Sequence, residues 1–196
     1  MISRYSREEI SKIWKEKNKY EIWLNIEIAV AQAMEKINVI PKGVSANTKK
    51  KAKINVERIH KIEKKVHHDV IAFLTSISEK VGSDSKFLHK GLTSSDILDT
   101  CFNIQLKQAG KILIKDIDEI LVVLKNKSLK YKKTICIGRS HGIHAEPTTF
   151  GLKLAGFYAE FKRNKKRMES AINEISTCAI SGAVGTFANV DPSVER

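Results

Sequence analysis

From Ser94 to Tyr131 the chain runs without a proline and with a single glycine, Gly110. Leu98, Phe102, Leu106, Ala109, Leu113, Ile117, Ile120 and Leu124 recur along it at three- and four-residue steps, the spacing of one face of an α-helix. Thr93-x-x-Asp96 supplies an N-terminal cap. At the rise of an α-helix, residues 94–131 make a rod roughly 55 Å long. A rod that long cannot bury its stripe inside a small domain, so it calls for a large helical bundle. The composition agrees: 42% of the residues are hydrophobic but only 7% aromatic, and three prolines and ten glycines interrupt 196 residues. The expected class is all-α.

The flanking segments read the same way. Ser6-Arg7-Glu8-Glu9 is a capping-box pattern that starts a helix near residue 7, leaving Arg4-Tyr5 in a non-helical arm. A second helix is predicted from Asn18, capped through Glu21, to the break at Pro41-Lys42-Gly43, with Ile22, Ile26, Ala29, Val30, Ala33 and Ile37 on one face. Asn55 caps a third, predicted to reach Val81 with Ile59, Ile62, Val66, Val70, Phe73 and Ile77 as its stripe. Pro147 is expected in the first turn of a further long helix, marked by Phe150, Leu154, Phe157, Phe161, Met168, Ile172, Ile175 and Ala179. The glycines of Ser181-Gly182-Ala183-Val184-Gly185-Thr186 follow a helix instead of joining a strand to one, so they are no dinucleotide fingerprint. They read as a mobile loop or a C-cap.

Polar chemistry is concentrated between the two long rods. Gly138-Arg139-Ser140-His141-Gly142-Ile143-His144-Ala145-Glu146-Pro147-Thr148-Thr149-Phe150-Gly151 packs two imidazoles, a guanidinium, three hydroxyls and a carboxylate into a fixed irregular path. Three other groups draw attention. His67-His68-Asp69 lies within the predicted third helix, where His68 falls about 200° from Val66 and so points off the buried stripe. Taken alone it is as well read as a surface histidine. Thr93 and Ser94 stand at the start of the longest helix, where free N–H groups suit a carboxylate or phosphate, or are simply capped. Arg4-Tyr5 pairs a forked donor with a phenol, fit for a phosphate or base, or for pinning the arm to the body.

The formal net charge of +13 favours anionic partners. Its lysines, however, are scattered over helical faces without interleaved aromatics, which argues against nucleic acid. No segment approaches the roughly 18 apolar residues of a membrane span, and Arg4, Glu8 and Glu9 occupy the place of a signal peptide's apolar run. Cys101, Cys136 and Cys178 are odd in number and widely spaced, as expected of buried reduced thiols in the cytoplasm. Neither His141-x-x-His144 nor His67-His68 has the carboxylate and spacing of a zinc motif, so no metal and no cofactor is expected.

In order and spacing, Arg4-Tyr5, His67-His68-Asp69, Thr93-Ser94-Ser95-Asp96 and Gly138-Arg139-Ser140-His141-Gly142 resemble the adenylosuccinate lyases of the fumarase/aspartase superfamily, over the whole chain. The resemblance implies β-elimination of fumarate from succinylated purine nucleotides: adenylosuccinate to AMP, and the succinyl-carboxamide ribotide to its amide. It implies His141 as general acid, with His68 beside the phosphate orienting His141 or the substrate. Asp69 and His67 adjoin it; Thr93 and Ser94 would hold a succinyl carboxylate or the nucleotide, Arg4 and Tyr5 the phosphate end. Ser140 would add a hydroxyl where the family usually has threonine, and His89 is a further substrate-binding candidate.

The family's general base, a serine on a Ser-Ser-x-Met-Pro-x-Lys-x-Asn-Pro loop, has no counterpart here. The resemblance therefore implies an N-terminal portion: a helical domain over 1–92, then the first part of the central bundle over 93–196, inactive alone. It also implies a homotetramer whose active sites draw on three subunits, acting on a small-molecule substrate with no nucleic acid and no membrane. An argininosuccinate lyase-like enzyme, a basic helical binding module and a non-catalytic scaffold are the competing expectations.

Overall fold

The computed structural model describes residues 2–196. The chain forms two compact units, residues 1–106 together with 176–196, and residues 107–175. The boundary falls inside the longest helix. Both units are helical, with one small two-stranded sheet. No helix among the described residues is long and apolar enough to cross a membrane.

The first unit contains α1 (Glu8–Ile13), α2 (Glu16–Lys36), α3 (Val44–Lys51), α4 (Val56–Val66), α5 (Asp69–Val81) and the start of α6 (Ser94–Lys130). Its core is built on α2 and α5. Trp23 and Phe73 are fully buried and meet edge to face at 5.4 Å, while Tyr20 stacks on Phe73 at 6.0 Å. Each such aromatic pair adds about 0.5–1.5 kcal/mol beyond area burial. Ile59, Val70, Ile77 and Ile97 complete the centre, and Ile180, Val190 and Val194 return from the far end of the sequence to close it. Burial pushes the Tyr20 phenol up to about 12, with Glu16, Glu63 and Asp69 adding to the shift. It likewise raises the Cys101 thiol to about 11 against the opposing pull of the Trp23 indole and Lys19.

Three expectations need correction here, and one helix is additional. The predicted third helix is two helices, α4 and α5, broken at His67-His68. The stripe hid the break because Ile62, Val66 and Val70 keep a four-residue step across it, yet Val66 is 41% exposed. Helix α3 was not foreseen: Val44–Lys51 carries no apolar stripe, and its start is capped from α2. There Glu35 accepts from the Ser45 backbone N–H at 2.6 Å and from its hydroxyl at 3.0 Å. Helix α2 begins at Glu16 rather than at Asn18, whose amide donates back to the Ile13 carbonyl at 2.8 Å. Of the three thiols, all free, only Cys101 is buried; Cys136 is half-buried and Cys178 exposed.

The second unit holds the remainder of α6, a hairpin of β1 (Ile135–Ser140) and β2 (Ile143–Thr149), and α7 (Phe150–Glu174). Glycines set how closely α6 and α7 approach. A Cβ on Gly110 would lie 2.6 Å from the Ile172 side chain, and one on Gly151 2.5 Å from the Ser128 carbonyl. Lys165 on α7 reaches Asp118 on α6 at 2.6 Å, which holds its ammonium above the usual lysine range. Pro147 does not open α7. It sits in β2 opposite Ile137, where its missing N–H is harmless in a two-stranded sheet, and Thr149 caps α7 by accepting from the Leu152 N–H at 3.2 Å.

Candidate active site

The polar stretch between the rods is a β-hairpin instead of an irregular loop. Ser140 pairs with Ile143, so His141-Gly142 is a two-residue turn. Both turn residues have positive φ, 53° and 76°, as a type I′ connection requires. A bulge between Ile137 and Arg139 re-aims the strand below the tip. Gly138 lies in it, because a Cβ there would come within 2.8 Å of the Glu146 carbonyl. His141, Ser140 and His144 are exposed at the hairpin's end. At its base, Arg139, Thr148, Phe150 and Lys153 border a pocket of about 600 Å³.

In the first unit, His67 ends α4 in the left-handed conformation with φ 53°. His68 then caps α5, its Nδ1 accepting from the Ile71 N–H at 3.3 Å. Acceptance at Nδ1 puts a neutral ring's proton on Nε2, the nitrogen left for a ligand. Asp69 stands 3.6 Å from that Nδ1, too far for a hydrogen bond, and instead accepts from the Val70 N–H at 2.7 Å. The backbone therefore sets the His68 tautomer. The left-handed residue also displaces the helical geometry used to aim His68 from the sequence, although the ring is, as expected, half-exposed.

Arg4 donates to the Tyr5 hydroxyl at 3.0 Å and lies over its ring, with both side chains exposed. Thr93 and Ser94 stand half-buried at the start of α6. The capping carboxylate there is Asp96, 3% exposed. It accepts from the Thr93 N–H at 2.9 Å, and also from Ser181 at 3.1 Å and Gly182 at 3.2 Å. This ties the glycine loop down, so the segment expected to be mobile or a simple C-cap is a fixed wall. Gly91 presses against Asn189, three residues beyond that loop, since a Cβ there would lie 2.1 Å from the Asn189 carbonyl. Between the two segments opens a pocket of about 500 Å³ bordered by Lys90, Thr93, Ala183 and Asn189.

His89 begins this turn with φ 58° and is held by Glu27 of α2 through its backbone N–H and its Nδ1, each at 2.7 Å. Sequence reasoning missed Glu27 and the second role of Asp96. A signal existed for Glu27: it is the acidic residue inside the otherwise apolar run Ile26 to Ala31. Three of the six histidines, His67, His89 and His141, thus adopt positive φ. Strained backbone of this kind gathers at functional sites.

Residues 3–196 match the family described as Lyase. Along all 196 residues the chain is 51% identical to the adenylosuccinate lyase of Thermotoga maritima, of which it spans 46%. Its structure is similar to that of the fumarate lyase from Mesorhizobium sp. BNC1, with a TM-score of 0.91 and 25% identity over 98% of this chain and 48% of that one. The β-carboxy-cis,cis-muconate cycloisomerase of Acinetobacter calcoaceticus sp. ADP1 gives 0.87 and 25% over 95% and 45%. The chain spans less than half the length of these relatives. It belongs to the lyase family, as an adenylosuccinate lyase-like member of the fumarase/aspartase superfamily.

Proposed function

We propose that the protein to which this chain contributes releases fumarate from adenylosuccinate, leaving AMP, and from the succinyl-carboxamide ribotide of purine synthesis. In the elimination, a base removes a proton from the carbon beside a succinyl carboxylate and the neighbouring C–N bond breaks. The purine-side nitrogen takes a proton as it leaves. His141 serves as the acid that delivers this proton. His68, with Nε2 free, meets the phosphate end beside Arg4 and Tyr5, with His67 and Asp69 shaping the junction. Thr93, Ser94 and His89 hold the succinyl or nucleotide anion at the start of α6, where backbone dipoles favour negative charge, and Ser140 lends its hydroxyl next to His141.

The observation that carries the reading is the presentation of His141. An exposed imidazole at the tip of a two-residue turn is open to a bound reactant, which supports the role of proton donor. The 51% identity to a relative named for this reaction supports the same substrate class. The base is the serine of a loop with no counterpart in these 196 residues, so the chain by itself is inactive. Self-association into a homotetramer in the cytoplasm completes the site, and the apolar residues exposed on α6 and α7 favour it.

The test uses the full-length protein and a panel of adenylosuccinate, the carboxamide ribotide and argininosuccinate. Fumarate release from the first two supports the proposal, and release from argininosuccinate alone overturns it. His141→Asn keeps the left-handed turn and should lower kcat by about 10²–10⁴-fold, the usual contribution of a general acid. His144→Ala should change it little; an equal loss there would assign the acid to the other imidazole.

A further inference from the structure

Glu27 is 1% exposed, on a helix face otherwise given to the core. A buried carboxylate is costly unless its oxygens are met. Here both are spent on one residue: Oε2 accepts from the His89 backbone N–H, and Oε1 faces the His89 Nδ1. Packing alone does not require this, since an apolar side chain would fill the same place. The clamp acts where the chain turns into the pocket wall. His89 is left-handed, its carbonyl accepts from the Leu92 N–H at 3.3 Å, and Gly91 is wedged against Asn189.

An ionised carboxylate only accepts hydrogen bonds. Facing such an acceptor, the ring would carry its proton on Nδ1, and its one remaining polar atom is Nε2. We infer that Glu27 is a positioning residue: it fixes His89 in the Nδ1-protonated form and sets the direction in which Nε2 meets the substrate. The inference rests on the reading above that His89 contacts the nucleotide substrate.

Glu27→Gln tests it with nearly unchanged volume. Only the amide oxygen can face the His89 backbone N–H, so the amide NH₂ must face Nδ1 and drive the ring proton to Nε2. NMR of the histidine-labelled chain, with His89 assigned through His89→Asn, should show Nδ1–H in the wild type and Nε2–H in Glu27→Gln. In the full-length enzyme the same substitution should raise KM for adenylosuccinate about tenfold, by analogy with the loss of an outer partner to a metal-ligating imidazole. Its kcat should change by less than about twofold. His89→Asn should raise KM as much, and the double variant no further.

A wild-type ring protonated on Nε2 overturns the inference, and this needs no variant to fold. So does an unchanged KM in Glu27→Gln beside a raised KM in His89→Asn, which would leave the proposed function standing. A wild-type enzyme inactive on adenylosuccinate overturns both.

Discussion

The two units spend their apolar residues in opposite ways. In the first, Trp23, Tyr20, Phe73, Ile59 and Val70 are sealed from solvent around a single core. In the second, the only buried residues are Gly110 and Gly151, while Val122, Val123, Leu129, Leu152 and Phe157 face outward. One set of residues is satisfied within the chain, and the other stays open to solvent. The periodicity that predicts a helix says where a stripe lies, but not whose surface covers it.

Phe73→Ala gives the sharpest contrast between the units. It should cost about 3–5 kcal/mol in denaturant unfolding of this chain, the toll of emptying a packed aromatic site. Val122→Ala, at a position 61% exposed, should stay within about 0.5 kcal/mol. A comparable loss at Val122 would mean that the outward face is already covered by another copy of the chain.

The next effect lies within the second unit. Gly151→Ala places a Cβ against the Ser128 carbonyl and the Lys132 backbone, neither of which can step aside as a side chain would. A cost of about 1–3 kcal/mol is expected, seen as faster amide exchange in α6 and α7 with α2 and α5 unchanged. Acceleration in α2 and α5 as well would show that the units do not open separately.

The smallest effect is on pH. Tyr20 is held neutral in the folded state, with its phenol at about 12, above the unfolded value near 10. Its contribution is complete below pH 10 and is lost as pH rises through 12, because the unfolded chain ionises first. Tyr20→Phe should flatten that part of the stability curve and leave the neutral region in place. An unaltered alkaline limb would mean that another group controls it.

The longest helix was legible almost to the residue: 94–131 predicted, Ser94–Lys130 found. A stripe without interruption, ended by polar residues, leaves little else possible. The candidate site was legible as residue types but not as geometry. His141-Gly142 did not read as a hairpin turn, because that signal is usually carried by asparagine or aspartate before glycine, and Pro147 drew the following helix three residues early. His67 ends a helix by its backbone angle alone, which no periodicity reports. Asp96 looked like a cap and is one, but its bonds to Ser181 and Gly182 join segments 85 and 86 residues apart, beyond the reach of local pattern.

That long-range closure bears on how the molecule is made. Ile180, Val190 and Val194 are walls of a core whose other members lie before residue 102. On the ribosome, the amino-terminal helices must therefore wait with one side open while residues 107–175 emerge. Synthesis delivers the sticky insertion before the plug, so for that interval the nascent chain shows both of its greasy surfaces at once.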